Sequence, residues 1–235
     1  MFVKTKYCAR FDQQNIVGLK IMRNTNLCPP SYNNRKRLKR FYRRFFSTPQ
    51  ELTDFVNQVM ENDAGLVMAN QVQRFVDLSR ENQGNYHSRS DFLTISYCRI
   101  CLESLQHLSK IKSRNYFFKL FADVWQKNGF NYIKDHFVRY NDSDDFPEQG
   151  VTAGAFLIFM HDVRNIAFHD GKCWYSVVFS KKSNLFVVED QKGTYYCCAS
   201  FSYTDFEFSF VKGCIGFIKE YCANKEDKYE QPTTN

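Results

Sequence analysis

The sequence predicts a mainly α-helical bundle with a small antiparallel β-meander inserted before its last helix. Three observations carry this reading. Apolar residues recur every three to four positions over most of 48–169. From 174 to 201 the pattern changes to short runs of β-branched and aromatic residues separated by polar turns. Gly and Pro number only ten and five, which excludes collagen-like and linker-dominated chains.

The elements follow in order. Residues 1–34 read as short strands or irregular structure, ending in the turn-forming stretch 28–34 with Pro29-Pro30. Ser47 or Thr48 caps a helix that has Pro49 at its first position and Glu51 three residues after Thr48, a capping-box pattern. Leu52, Phe55, Val56 and Val59 keep helical spacing. A second helix is expected over 64–79, and 80–89 reads as a polar loop. Asp91 can cap a long helix, apolar on most sides, that runs to Leu108 and would be central to the bundle. Residues 116–127 and 131–140 read as two more helices broken at Asn128-Gly129. An acidic loop, 141–150, leads to a helix over 151–169 that Asp170-Gly171 stops. Runs at 174–179, 185–189 and 194–201 form the expected meander. Thr204 or Asp205 caps a last helix to about Cys222, and a polar tail follows.

We divide the chain into a basic N-terminal segment, 1–85, with two or three helices, and a helical domain, 86–235, with the β insertion at about 174–201. At 235 residues the chain suits one good-sized domain or one domain plus an appendage. Aromatic residues make up 17%, enough to build a real core and exclude global disorder. No apolar run approaches the roughly 18 residues of a membrane span, so no membrane partner is expected. The N-terminal stretch lacks the apolar segment of a secretory signal. Nine scattered cysteines, an odd number, point to reduced thiols and a cytoplasmic setting. Cys98 and Cys101 form a lone C-x-x-C inside an apolar helix, which reads as buried thiols rather than a zinc site. We expect no metal and no cofactor.

Charge is unevenly placed. Residues 1–50 hold twelve of the 32 Lys and Arg and one of the 25 acids, Asp12. Seven of the ten residues from Arg35 to Arg44 are basic: Arg35, Lys36, Arg37, Lys39, Arg40, Arg43 and Arg44. Such a run suits RNA phosphates, with Phe41, Tyr42, Phe45 and Phe46 available to stack on bases. The spacing of Leu38, Phe41 and Phe45 equally suits a solvated helix whose aromatics enter the core.

The stretch that carries chemistry is His161 to Gly171. Asn165 and His169 are i,i+4 on one helix face, Arg164 lies beside that face, and His161 precedes Arg164 by about a turn. A permanent guanidinium charge thus lies within reach of an imidazole that titrates near neutrality. Cleavage of a phosphodiester by its own 2′-hydroxyl needs a proton-moving group and a group that holds negative charge on phosphorus. Glu103 is a lone carboxylate on the apolar 91–108 helix, where an unpaired charge would be costly. Its partner is Arg164 or, within its own helix, Arg99. Motifs for nucleotide hydrolysis, zinc proteolysis and serine hydrolysis are absent.

Arg164-Asn165-x-x-x-His169 resembles the Arg-polar-x(3–5)-His motif of HEPN domains, and Leu102-Glu103 resembles the Leu-Glu pair of that family's early apolar helix. The resemblance covers roughly 88–222 and is nearest to the HEPN proteins of abortive-infection and phage-defence systems. It implies a helical bundle that forms a homodimer, with the two motif helices facing each other around a composite ribonuclease site. Arg164 and His169 would be catalytic, Asn165 would orient them, and His161 and Glu103 would assist. The products would be 2′,3′-cyclic phosphate and 5′-hydroxyl ends. A toxin or defence role implies a regulatory or antitoxin partner. Gly171 stands where nucleotidyltransferase-paired members carry Tyr, and the β-meander is foreign to the minimal bundle. A non-catalytic module that binds RNA, a nucleotide or a protein is the alternative. A third reading makes the meander a docking surface for a protein partner.

Overall fold

Helices form where apolar residues repeat at the helical period. The computed structural model describes residues 32–84, 91–134, 137–141, 152–169, 184–190, 193–199 and 202–224. Among these, the chain is mainly helical. The helices are α1 (Tyr32–Tyr42), α2 (Pro49–Met60), α3 (Asp63–Gly84), α4 (Asp91–Leu108), α5 (Arg114–Asn128), α6 (Ala153–His169) and α7 (Tyr203–Ala223). Short 3₁₀ turns follow α1 and α5.

The caps explain where several of these helices begin. The Thr48 hydroxyl accepts the Glu51 amide at 3.2 Å, and Glu51 reaches back to the Ser47 amide. Ser113 caps α5 through the Tyr116 amide, so that helix starts two residues before the predicted one. At α7 the cap is Ser202, not Thr204 or Asp205; Asp205 is the return arm of its capping box. The Thr152 hydroxyl accepts the Ala155 amide, and the Ala153 amide donates to Gln126 of α5 at 2.8 Å. That last bond ties the start of α6 to the end of α5.

Three sequence expectations about elements are corrected. Residues 32–34, read as turn, begin α1, and the expected loop at 80–84 continues α3. Arg80 there pairs with Glu207 of α7, so a polar stretch is held in helix by a distant carboxylate. Residues 131–140, read as one helix, are a 3₁₀ turn over 130–132 and a strand, β1 (Phe137–Asn141). Phe137, Val138 and Tyr140 are aromatic and β-branched types, which suit a strand once a partner is present.

The inserted meander is the fourth correction. The strands β2 (Asn184–Asp190) and β3 (Gly193–Ala199) form an antiparallel hairpin. The third strand is β1, from before α6, and the order is β1-β3-β2. Phe137 pairs with Ala199 and Asn141 with Tyr195. The sheet therefore brackets α6 in sequence instead of being an insertion of consecutive strands. The expected strand at 174–179, the acidic loop at 142–150, the segment before 32, the stop at Asp170-Gly171 and the tail beyond 224 lie outside the described residues.

The core is continuous from Leu38 to Tyr221, with α1, α2 and α3 contributing alongside α4 to α7. Alongside α4, which packs on α3 and α6, α7 is a central helix. It packs against α2, α3 and α5, and buries Phe206, Phe210, Phe217 and Ile218 together with Glu207, Ser209, Gly213 and Gly216. Trp125 of α5 anchors the contact. Its indole N–H donates to the Ser209 carbonyl at 2.9 Å, and Phe121, Phe130, Phe156 and Phe210 surround its ring. A Cβ on Gly213 would stand 2.6 Å from Trp125 Cδ1, so only glycine lets the helices meet here. On Gly154, by contrast, it would meet nothing nearer than 3.7 Å. Glu207, buried on α7, accepts ion pairs from Arg80 and Arg44.

Gly213→Ala should cost about 1–3 kcal/mol in urea unfolding, whereas Gly154→Ala should be neutral or mildly stabilising. Glu207→Gln should cost about 1–3 kcal/mol, less than for a fully buried pair because both guanidiniums reach solvent.

Candidate functional site

α6 packs on α4 and α5, and its exposed edge carries the motif residues. Positions 161, 165 and 169 recur at four-residue spacing along one stripe of the helix. Arg164 and Asn165 are half-buried and adjacent: Arg164 Nη1 donates to Asn165 Oδ1 at 3.2 Å. Asn165 Nδ2 lies 3.0 Å from His161 Nε2. The opposite ring nitrogen, His161 Nδ1, lies 3.1 Å from Arg114 Nη2 of α5. The structure thus brings Arg164, Asn165 and His161 into one chain of contacts and adds Arg114. His169 is the last residue of α6, and its side chain lies outside the described residues.

This chain holds more donors than acceptors. A neutral imidazole has one acceptor nitrogen, and both of its neighbours offer N–H groups. Turning the Asn165 amide over would satisfy His161 Nε2–H, but would set the amide N–H₂ against Arg164. In either orientation one N–H of this set faces another, and the orientation of the Asn165 amide and the tautomer of His161 are set together.

Glu103 lies on α4 with its carboxylate 3.8 Å from both Arg99 Nε and Arg114 Nη2. Of its two predicted partners, Arg99 is the one at this distance; Arg114 was not anticipated. Glu103 is also not the buried charge of α4. It is one-third exposed, whereas Arg99 is buried, its guanidinium 3.6 Å from the centre of the Phe118 ring. Burial first, and then the Arg114 charge, bring Arg99 down to about 10, so it stays charged at neutral pH. Burial, followed by the charges of Arg99, Arg114 and Arg164, holds His161 below its ordinary value. His161 is therefore a neutral imidazole at physiological pH, the form that can accept a proton.

A cleft of about 680 Å³ opens between α5 and α6 beside this cluster. Arg114, Lys119 and His161 line one end, and Phe118, Ala122 and Leu157 line its apolar wall. Sequence reasoning missed Arg114 and Lys119. The available signal was positional: Arg114 follows the cap Ser113, placing a cation at the positive end of a helix whose first turn has no acid.

The basic run lies on α1 and the turn after it. Lys36, Arg37, Arg40 and Arg43 are exposed and, with Lys39 and Leu52, line a groove of about 770 Å³. Arg35, Arg37 and Lys39 reach the neutral oxygens of Asn57, Asn70 and Thr53. Among the described residues no carboxylate pairs with the α1 cations. Arg44 is turned to a different task, pairing with Glu207. The proposed stacking aromatics are a correction: Phe41, Tyr42 and Phe45 are buried and Phe46 packs on the core, so none is free to stack on a base.

Cys98 and Cys101 lie buried on α4, and Cys214 is buried on α7. Burial raises the thiols of Cys98 and Cys214, which keeps them protonated and unreactive. Among the described residues no helix is long and apolar enough to cross a membrane. No protein-family model, curated protein or solved structure matches this chain.

The His161 environment makes a signed prediction. Its midpoint, followed by the imidazole NMR signals, should lie below 6.5. The unfolded chain then takes up this proton first, so His161 lowers stability as pH falls through its unfolded midpoint toward its folded one. Arg114→Gln should move that midpoint upward.

Proposed function

We propose that the chain is a metal-independent endoribonuclease of HEPN type, acting as a homodimer in a toxin or phage-defence role. The observation that carries the reading is the hydrogen-bonded series Arg164–Asn165–His161 on α6, with His169 one helical turn beyond Asn165. Charge organisation supports it: the α1 cations face outward with neutral partners, as a surface for a polyanion would. The cytoplasm is the matching compartment.

In the proposed reaction a neutral imidazole, His169, takes the 2′-hydroxyl proton. The 2′-oxygen forms its bond to phosphorus as the bond to the 5′-oxygen breaks. An imidazolium returns a proton to that leaving oxygen, which becomes a 5′-hydroxyl, and the other product end is a 2′,3′-cyclic phosphate. Two copies of α6 across a dimer would supply both protonation states. Arg164 holds the extra negative charge on the phosphorane-like transition state, and Asn165 fixes the guanidinium that it accepts from. His161 and Glu103 act as positioning groups, Glu103 by steadying Arg99 and Arg114.

The alternative is a non-catalytic HEPN module that binds RNA, a nucleotide or a protein partner. It draws on the same outward cations of α1, which suit retention of a polyanion without cleavage.

Pure protein incubated with mixed cellular RNA in EDTA should yield cyclic-phosphate ends. His169→Ala and Arg164→Ala should each lower the rate by about 10²-fold or more. Undiminished cleavage in both variants rejects the assignment, and RNA retention with no cleavage favours the module. Neutralising Lys36, Arg40 and Arg43 should weaken RNA binding and flatten its salt dependence, measured by fluorescence anisotropy across a salt series. The slope should fall by about 0.7 for each RNA phosphate that is no longer neutralised.

A further inference from the structure

A second groove continues the basic one on α1. Arg37 lines both: on one side it joins Lys36, Arg40 and Arg43, and on the other it faces α3. The α3 part has a volume of about 440 Å³, room for a planar heterocycle. Asn70, Gln73, Asp77 and Glu81 line it at three- and four-residue spacing, so they share one face of α3. Two bonds hold the junction between the parts. Arg37 Nη2 donates to Asn70 Oδ1 at 2.6 Å, and the buried Tyr42 hydroxyl donates to the Ala69 carbonyl at 2.9 Å.

The two parts differ in charge. The α1 part is lined by five cations and no acid. From Lys36 to Arg43 it follows about 10 Å of helix, room for more than one phosphate. In the α3 part Asp77 and Glu81 offset Arg37 and Arg74, and the other polar groups are amides. One of these amides is unsatisfied. Gln73 Oε1 is buried and has no hydrogen-bond partner among the described residues, which is costly for an acceptor. The terminal torsion of a Gln side chain is soft, so the amide can turn this oxygen to an N–H group in the groove. Arg37 already takes the Asn70 oxygen, which leaves the Asn70 N–H₂ to donate. One donor and one acceptor thus stand three residues apart on one helix face.

We propose that the two grooves together hold single-stranded RNA, with backbone phosphates on α1 and an unpaired base against Asn70 and Gln73 of α3. A splayed-out base offers donors and acceptors on its Watson–Crick and Hoogsteen edges, as this amide pair requires. In an A-form duplex the first edge is paired and the second lies in a groove too narrow for side chains. A uniformly charged polyanion would leave the amides unused and would meet Asp77 and Glu81. The aromatics of α1 are buried, so recognition of the base falls to edge hydrogen bonds rather than to stacking on them. The site rests on the reading of the α1 cations as an RNA surface, and adds a base contact to it.

The test is fluorescence anisotropy of the full chain with a 2′-O-methylated single-stranded oligoribonucleotide and with an abasic strand of the same length. The methyl group removes the 2′-hydroxyl nucleophile, so binding is read apart from cleavage. Both strands carry the same phosphates, so the α1 contribution is common to them. The strand with bases should bind about tenfold more tightly than the abasic strand. Gln73→Met, which keeps the side-chain length and removes the amide, should abolish that preference. Asn70→Asp, which keeps the acceptor for Arg37 and removes the donor, should reduce it. Arg40→Gln should weaken both strands alike. The proposal is overturned if the abasic strand binds as tightly as the strand with bases, or if folded Gln73→Met and Asn70→Asp keep the full preference. Loss of binding to both strands would overturn the RNA reading of α1 as well. A retained preference without RNA cleavage would reject the ribonuclease alone and uphold this site.

Discussion

The close approach of α5 and α7 at Trp125 sets the geometry on which the rest of the molecule depends. Gly213 removes the side chain that would hold the helices apart, and Ser209 supplies both a carbonyl and a hydroxyl to the indole N–H. The same hydroxyl donates to the Gly129 carbonyl at 2.9 Å, which ties down the chain as it leaves α5. Phe156 of α6 then packs edge-on against Trp125, and Gln126 caps the first amide of α6. The helix that carries Arg164 and Asn165 is thus positioned by a contact between two other helices. A shift at Trp125 would reach the cleft directly, because densely packed interiors transmit displacement rather than absorb it.

Charge is organised in three distinct ways. On α7, Glu207 is buried and offset by two arginines from the N-terminal half, a link that fastens the turn after α1 and the end of α3 to that helix. On α4, Arg99 is buried and only loosely met by Glu103, so its charge is felt by the imidazole on α6. On α1 the cations face outward and meet neutral oxygens. The first arrangement has the form of a structural ion pair. The second adds to burial in holding the His161 imidazole below its ordinary value, and the third leaves positive potential on the surface.

Much of the site was legible because it rests on spacing within single helices. The pair Arg164 and Asn165, and the four-residue repeat of His161, Asn165 and His169, need only the helical period. Arg99 and Glu103 are likewise i,i+4 on α4. Arg114 was not legible as part of the site, since it is 47 residues away in sequence and reaches His161 only through the packing of α5 on α6. The aromatics of α1 show the limit from the other side. Leu38, Phe41 and Phe45 had the spacing of a buried face, and burial decided against base stacking once α2, α3 and α7 covered them.

Local spacing and capping chemistry by themselves determined that the chain is mainly helical, that α2 starts at Ser47 or Thr48, and that the motif residues share one helix. These features follow from interactions within a few residues, where periodicity and backbone hydrogen bonding decide the outcome. Only the tertiary structure decided that α7 is a central helix, that 137–141 is a strand, and that Arg99 rather than Glu103 is the buried charge of α4. The reason is the same each time. A strand needs a distant partner to satisfy its backbone, and a charge is buried or exposed according to what packs over it. Neither partner is written in the residues nearby.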